Sequence, residues 1–487
     1  MANMIDYVLR ERRPFGKDAA AAPFNEVDAL VFAQMAYQRL GGIVPTLGEV
    51  ERRYATTGAV VRARLGMFDW AHPLDSLRLL RVIPFDGPTL MDTAHHLPPE
   101  AFDVRTGFAG MGNPDRTAEL FEAIAASPRF ADIRVNAYED HFDAASALQF
   151  AAQTYRLPDG TLVVAYRGTD DSLVGWREDF DMTYQWPVGA QRQAADYLRR
   201  VMRLWPDGDV LVTGHSKGGN LAVYAAMMAC REPEADARVK AVYSLDGPGF
   251  LPEVIGGDSA TLDHIRARVT KIVPEASIVG MIFETEPALA SFRAVTTDGT
   301  GINRHFGFNW HVDVDGDTFE WTPLTDEARY WCRSFHDWAE SMTLGERRRA
   351  LDGISGVFHD AGHESLTTLM AAMPGALPGL LAAAGKLPAE DRAHIMLALR
   401  GLAKALIGNR AAALGGALKG GASGGAPGGV REAPDGGTGR GAGDPGGAVE
   451  AGHGAGGGDA DGAASRPGGG KAHVLRLPWR WGRGRRG

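Results

Sequence analysis

A chain of 487 residues, 45% of them hydrophobic, is long enough for one large enzyme domain with additions around it. Its formal net charge of -9 argues against a whole-protein nucleic-acid binder. Two cysteines, Cys230 and Cys332, are too few for a secreted disulfide framework and point to a reducing, cytoplasmic compartment. The opening residues Met1-Ala2-Asn3-Met4-Ile5 bring no cationic start before an apolar run, so no signal peptide is expected. No run of about 18 uninterrupted apolar residues predicts a spanning helix. The nearest approach, Leu366 to Leu387, is broken by Pro374, Pro378 and glycines and reads as a buried or surface-lying helix pair.

Residues 1–130 read as a mostly helical region with a possible cap. Asn25-Glu26-Val27-Asp28 opens a helix whose apolar positions Leu30, Val31, Met35 and Leu40 recur at helical spacing. Between Ile83 and Asn113, Gly and Pro interrupt a weakly periodic stretch that suits a long loop or a cap over a site. The pattern then changes. Leu148 to Tyr155 and Leu162 to Tyr166 are strand-like, and Asp159-Gly160 between them marks a hairpin. Ala190 to Trp205 is helical, Val210 to Val212 a short strand, and Asn220 to Cys230 helical again. Val239 to Leu245 and Val269 to Val273 are further strands. Strands alternating with helices predict an α/β core over 131–322, with a mostly parallel sheet covered on both faces.

Residues 323–409 read as a helical extension packed on the core, with Trp331, Phe335, Trp338 and Met342 at three-to-four spacing. From 410 to 487 the composition collapses to Gly, Ala, Pro and scattered charge, which predicts a disordered tail. Its end, Leu475 to Gly487, holds Trp479, Trp481 and five arginines, a composition suited to peripheral contact with an acidic surface or a membrane.

Gly214-His215-Ser216-Lys217-Gly218 fits the G-x-S-x-G pattern between a predicted strand and a predicted helix. That context makes Ser216 the candidate nucleophile. A serine on a sharp strand-to-helix turn is exposed, and the helix N-terminus aims free N–H groups at a developing oxyanion. Tyr166-Arg167-Gly168-Thr169-Asp170 ends the hairpin's second strand, where this fold sets its other oxyanion donor. Thr169, through its N–H and hydroxyl, and the N–H of Lys217 are the candidate oxyanion hole.

Taken together, Arg167-Gly168-Thr169, Trp176, Asp179 and Gly214-His215-Ser216 resemble the class 3 lipases. A wider set resembles one bacterial branch of their relatives, the Mbeg-type lipase-like family: Pro23 to Asp28, Gly214 to Asn220, Asp246-Gly247-Pro248-Gly249-Phe250, and Val273-Pro274 with Ser277 to Gly280. The resemblance spans about residues 1 to 345 and implies an α/β-hydrolase fold with serine chemistry. One departure is Lys217, where such lipases carry Leu. A cation there suggests a more polar site wall than a triglyceride lipase has.

A serine hydroxyl needs a base, and the base needs an acid to fix its tautomer. In this fold they follow in the order serine, acid, histidine. Among His264, His305, His311 and His336, His305 lies in a glycine-punctuated loop after the last predicted strand, and the resemblance points to the same residue; His311 is the alternative. His215 is expected to be structural, with its side chain directed away from the serine. For the acid, Asp246 ends the strand after the nucleophile strand. Class 3 lipases carry an Asp one strand later, before a Val-Pro pair, but Lys271 occupies that position here and leaves Glu275 as the fallback.

Asp313-Val314-Asp315-Gly316-Asp317 hints at a calcium loop, but its Gly comes too early and Leu324 stands at the twelfth position, so a hairpin turn fits better. No phosphate-loop, dinucleotide or zinc pattern occurs, and neither cofactor nor metal is expected. The sequence therefore predicts a serine hydrolase cleaving small acyl or lipid esters through an acyl-enzyme. Acyl transfer, thioester cleavage and a catalytically silent lipase-like binder are the alternatives.

Overall fold

A computed structural model describes residues 1–102, 114–170, 172–360, 382 and 384–421. Ten strands are β1 (Arg134–Asp143), β2 (Leu148–Arg156), β3 (Leu162–Tyr166), β4 (Val210–His215), β5 (Val239–Leu245), β6 (Val269–Pro274), β7 (Arg293–Val295), β8 (Val312–Asp313), β9 (Thr318–Phe319) and β10 (Trp321–Thr322). Eight of them form one sheet in the order β1-β2-β3-β4-β5-β6-β7-β10. β3 to β7 run parallel, while β1 and β2 at one edge and β10 at the other pair antiparallel.

Strand order follows chain order, and this decides the layering. Right-handed crossovers between sequential parallel neighbours all place their helices on the same side. The helices Gly189–Leu204 and Lys217–Ala229 cover that side. β3 shows the division residue by residue: Leu162, Val164 and Tyr166 join the cluster of Ala194, Leu198, Leu221 and Ala225, while Val163 and Ala165 point the other way. No crossover helix reaches that second side. The N-terminal region fills it instead. Helix Glu26–Met35 packs Leu30, Val31 and Phe32 there, and Thr213 on β4 donates to the Ala29 carbonyl at 2.9 Å. Asn25 caps this helix by accepting from the Val27 and Asp28 N–H groups, and Asp28 closes the capping box. The helix ends at Met35, short of Leu40.

The same layer holds a fully buried ion pair. Arg129 grips Asp28 at 2.6 Å, both side chains at 0% exposure, and Tyr7 donates to Asp28 at 3.0 Å. The described part of the 83–113 stretch runs along the β1 edge, not over the strand ends. Val135 N donates to the Pro88 carbonyl and Leu90 N to that of Ile133. Residues 103–113 lie outside the described residues.

At the C-terminal side, helix Asp326–Glu340 sets Ala328 and Cys332 against Val273 and Met281, with Trp331 alongside. Helix Leu344–Asp360 follows, and Trp338 and Met342 meet Ala398 of a last helix, Ala389–Gly421. That helix runs eleven residues past the point where composition alone starts the tail, through Ala411-Ala412-Ala413-Leu414, a run of strong helix formers. The expected helix pair at 366–387 falls mostly outside the described residues, and the tail from 422 wholly so. Asp313 to Asp317 form the turn of the β8–β9 hairpin, with the Asp313 carboxylate accepting from the Asp315 and Gly316 N–H groups.

Candidate active site

The ends of β4 and β5 meet the short helical turn Gly301–His305 beyond the carboxyl edge of the sheet. Ser216 follows β4 and precedes its helix with φ +59° and ψ -133°, a strained conformation that a non-glycine residue holds only where its surroundings enforce it. They do so here: Ser216 N donates to the Leu245 carbonyl and its own carbonyl accepts from Gly219 N, both at 2.9 Å.

Asp246 follows β5, also at positive φ (+48°) and fully buried. Its N–H donates to the Ile272 carbonyl at 2.7 Å. Oδ1 accepts from the Ser277 hydroxyl at 2.5 Å and from Gly280 N at 3.0 Å. Oδ2 is left for His305, whose Nδ1 lies 2.6 Å away. With Nδ1–H donating to the carboxylate, Nε2 is the free base nitrogen. Gly280 has to be glycine, because a Cβ would sit 2.3 Å from Asp246 Oδ1. Among the described residues no hydrogen bond joins the Ser216 hydroxyl to His305; such contacts are commonly open in an unliganded site and tighten on binding.

Glu275 is engaged elsewhere. It pairs with Arg304 and accepts from Thr297 Oγ1 at 2.9 Å, fastening the short helical turn Gly301–His305 rather than facing the imidazole. His311 is held by Asp298 at 2.9 Å and Glu320 at 3.3 Å; His264 contacts Asp236 and His336 contacts Glu340. Lys271 pairs with Glu284 and lies over the Phe292 ring.

His215 turns away from the serine and packs its ring 4.4 Å from that of His305. Its Nε2 donates to the His305 carbonyl at 2.8 Å, so its Nδ1 accepts, at 3.0 Å, from the Tyr37 hydroxyl. Burial, reinforced by the neighbouring His305, pushes its pKa down to about 3, which keeps the ring neutral and this tautomer fixed. Tyr37 belongs to the N-terminal layer, and no sequence motif marked it. The same hydroxyl crowds Gly168: a Cβ there would lie 2.1 Å from it and 2.9 Å from Ser216 Cβ.

The Thr169 and Lys217 backbone N–H groups have no acceptor among the described residues. The Thr169 hydroxyl does not share that freedom. It donates to Asp179, so only the N–H remains for an oxyanion. The Lys217 side chain also departs from expectation, since it does not line the site. It is fully buried behind the elbow, where Nζ donates to Gln149 Oε1 at 2.8 Å, the Gln149 carbonyl at 3.0 Å and Glu178 at 3.1 Å, with Asp179 at 3.7 Å. Burying the ammonium with two carboxylates removes the unfavourable cation from the helix N-terminus surface. Loss of hydration pushes the Asp179 carboxyl up to about 6, against the opposing pull of Lys217 and of the Thr169 bond.

A mostly parallel sheet flanked by helices, with a serine on the turn between its central strand and the following helix, defines the α/β-hydrolase fold. Residues 124–356 match the Mbeg1-like family model, so this stretch is similar to that family. Among curated proteins no sequence matches. Solved structures with some likeness are lipases. A triacylglycerol lipase described as having a serine protease triad is 18% identical, with 37% of this chain and 68% of that one covered and a TM-score of 0.25. Lipase II from Rhizopus niveus is 16% identical with the same coverage and score. The native Rhizomucor miehei lipase propeptide complex is 17% identical, covering 43% of this chain and 66% of that one at a TM-score of 0.26. With scores this low, the fold assignment rests on the topology of this chain. Both cysteines are free and buried, and no described helix is long and apolar enough to cross a membrane.

Proposed function

We propose that the protein is a serine hydrolase that cleaves carboxylic esters through an acyl-enzyme on Ser216. The observation that carries this reading is the 2.6 Å contact between His305 Nδ1, on the turn Gly301–His305, and Asp246 at the end of β5, the strand next to that of the strained serine. In this mechanism His305 Nε2 takes the Ser216 proton as the hydroxyl attacks the ester carbonyl. Asp246 holds the imidazole in the required tautomer and stabilises the imidazolium, while Ser277 and Gly280 saturate its other oxygen. The Thr169 and Lys217 N–H groups receive the oxyanion. The imidazolium then gives its proton to the leaving alcohol, and water repeats the sequence to free the acid and the serine.

Acyl transfer or thioester cleavage would use the same acyl-enzyme with a different acceptor or leaving group, and no contact in the site favours either. Turnover of p-nitrophenyl esters tests the proposal. Replacing Ser216→Ala is expected to lower it by about 10⁴ to 10⁶ without loss of the folded state. An unchanged rate in pure protein removes Ser216 from the mechanism.

A further inference from the structure

One surface element folds without a core of its own. From Val61 to Ile83 no residue is buried, although the stretch is rich in leucine. Helix Pro73–Arg78 buries nothing at all, and a helix of six residues does not hold itself in water without a covering contact. Leu65 (57%), Met67 (52%), Trp70 (84%), Leu74 (69%), Leu77 (53%) and Leu79 (43%) are all exposed, six large apolar side chains within fifteen residues, against four among Met396–Ile407. Phe68 steadies Trp70 with ring centroids 4.8 Å apart. The rim is cationic. Arg62 and Arg81 are exposed and have no ion pair among the described residues, while the two acids, Asp69 and Asp75, are taken by His72 and Arg78.

Charge decides what covers this face. A second copy would bring the same arginines against each other, and the arginine-rich segment 475–487 carries the same sign. An exposed tryptophan with exposed leucines and arginines unpaired among the described residues, all on one surface element, matches the composition of elements that lie in a lipid interface, where the indole sits at headgroup level and arginine meets anionic lipid. We propose that the Thr57–Arg81 element docks this protein on an anionic lipid surface. The element is anchored far from the serine. Phe85, just after it, packs 4.7 Å from Trp205, whose indole N–H donates to the Pro84 carbonyl at 3.5 Å. Trp205 precedes the start of β4, and Ser216 follows its other end. Docking here uses a segment anchored beside the start of β4 and not the carboxyl end that carries Ser216, and the proposal stands independently of the hydrolase reading.

Co-sedimentation of the full chain with phosphatidylglycerol/phosphatidylcholine vesicles, against phosphatidylcholine alone, tests it. Wild type is expected to bind the anionic vesicles and to be released by high salt. Trp70→Ala/Leu74→Ser/Leu77→Ser and, separately, Arg62→Glu/Arg81→Glu are expected to weaken binding by about tenfold or more. Because these side chains are mostly exposed and none belongs to a core cluster, both variants are expected to keep nearly the wild-type melting transition and soluble-ester rate. Wild-type binding by both variants overturns the proposal and makes the basic tail the anchor. Failure of the wild type to bind overturns it too, as does a dimer, found by analytical ultracentrifugation, that the triple variant alone dissociates.

Discussion

Residues 189–229 and the N-terminal segments 4–44 and 120–130 cover the same sheet from opposite sides, and they are built on different logic. The crossover side is local: each helix there sits between the two strands it covers, and the sequence alternates accordingly. The N-terminal side is borrowed, because sequential strand order leaves it bare until a helix from more than a hundred residues upstream lies across it. The proposed triad stands on two strand ends and the turn Gly301–His305. The crossover layer supplies the elbow helix and the buried Lys217 cluster behind it. The N-terminal layer supplies Tyr37, which fixes His215, which in turn supports His305. A region that looks like an appendage in sequence is therefore half of the core and a contributor to the site.

The comparison is sharpened first at the strand ends themselves. Asp246→Asn is expected to cut ester turnover by about 10³ to 10⁴, because the imidazole tautomer is no longer enforced. Glu275→Gln is expected to cost far less, since that carboxylate holds Arg304 and Thr297. The reverse order, in variants of native circular dichroism, would move the acid to β6.

The two layers are expected to differ in what a broken ion pair does. Asp28→Asn leaves the Arg129 guanidinium buried without its partner, which costs about 3 to 5 kcal/mol of stability. Ester turnover per folded molecule should stay near wild type well below the melting transition. Chemical denaturation read alongside turnover checks this, and a large rate loss in fully folded Asp28→Asn would mean that the N-terminal layer acts on the chemistry directly.

A smaller effect is expected on the crossover side. Asp179, raised to about 6 in the folded state from an ordinary 3.8, favours folding in its protonated form. Its contribution is complete below pH 3.8 and is lost as pH rises towards 6. The melting temperature of Asp179→Asn relative to wild type is therefore expected to climb between about pH 4 and pH 6, by about 1 °C or more, and to level off above. A flat difference across that range would show that Lys217 fully offsets the burial.

Much of the crossover half was legible in the sequence because its signals are local. β2 and β3 flank the Asp159-Gly160 hairpin signal, and β4, β5 and β6 stand where β-branched runs lie between helical patterns. The candidates Ser216, Asp246 and His305 come from the elbow, from a strand-end position and from a glycine-punctuated loop together with the family resemblance. β1 escaped because Glu139, Asp140, His141 and Asp143 mask its alternation, and because its register slips between Asn136 and Glu139, with Ala137 at positive φ. β7 and β10 are too short, at three and two residues, to carry a period. Helix Glu26–Met35 was legible from its cap and spacing, but the side of the sheet it covers was not, because nine of its ten residues are buried and no polar face remains to orient it. Tyr37 and the route by which Lys217 is neutralised depend on contacts between distant segments, and nothing in their neighbours' spacing announces them.

The most direct test of the central claim is labelling by a fluorophosphonate, which reacts covalently only with an activated serine. Intact-mass and peptide mapping of the wild-type protein should find a single adduct, on Ser216, formed much faster than in His305→Ala and absent from Ser216→Ala. Wild-type protein that stays unlabelled, or that carries its adduct on another residue, would contradict the account.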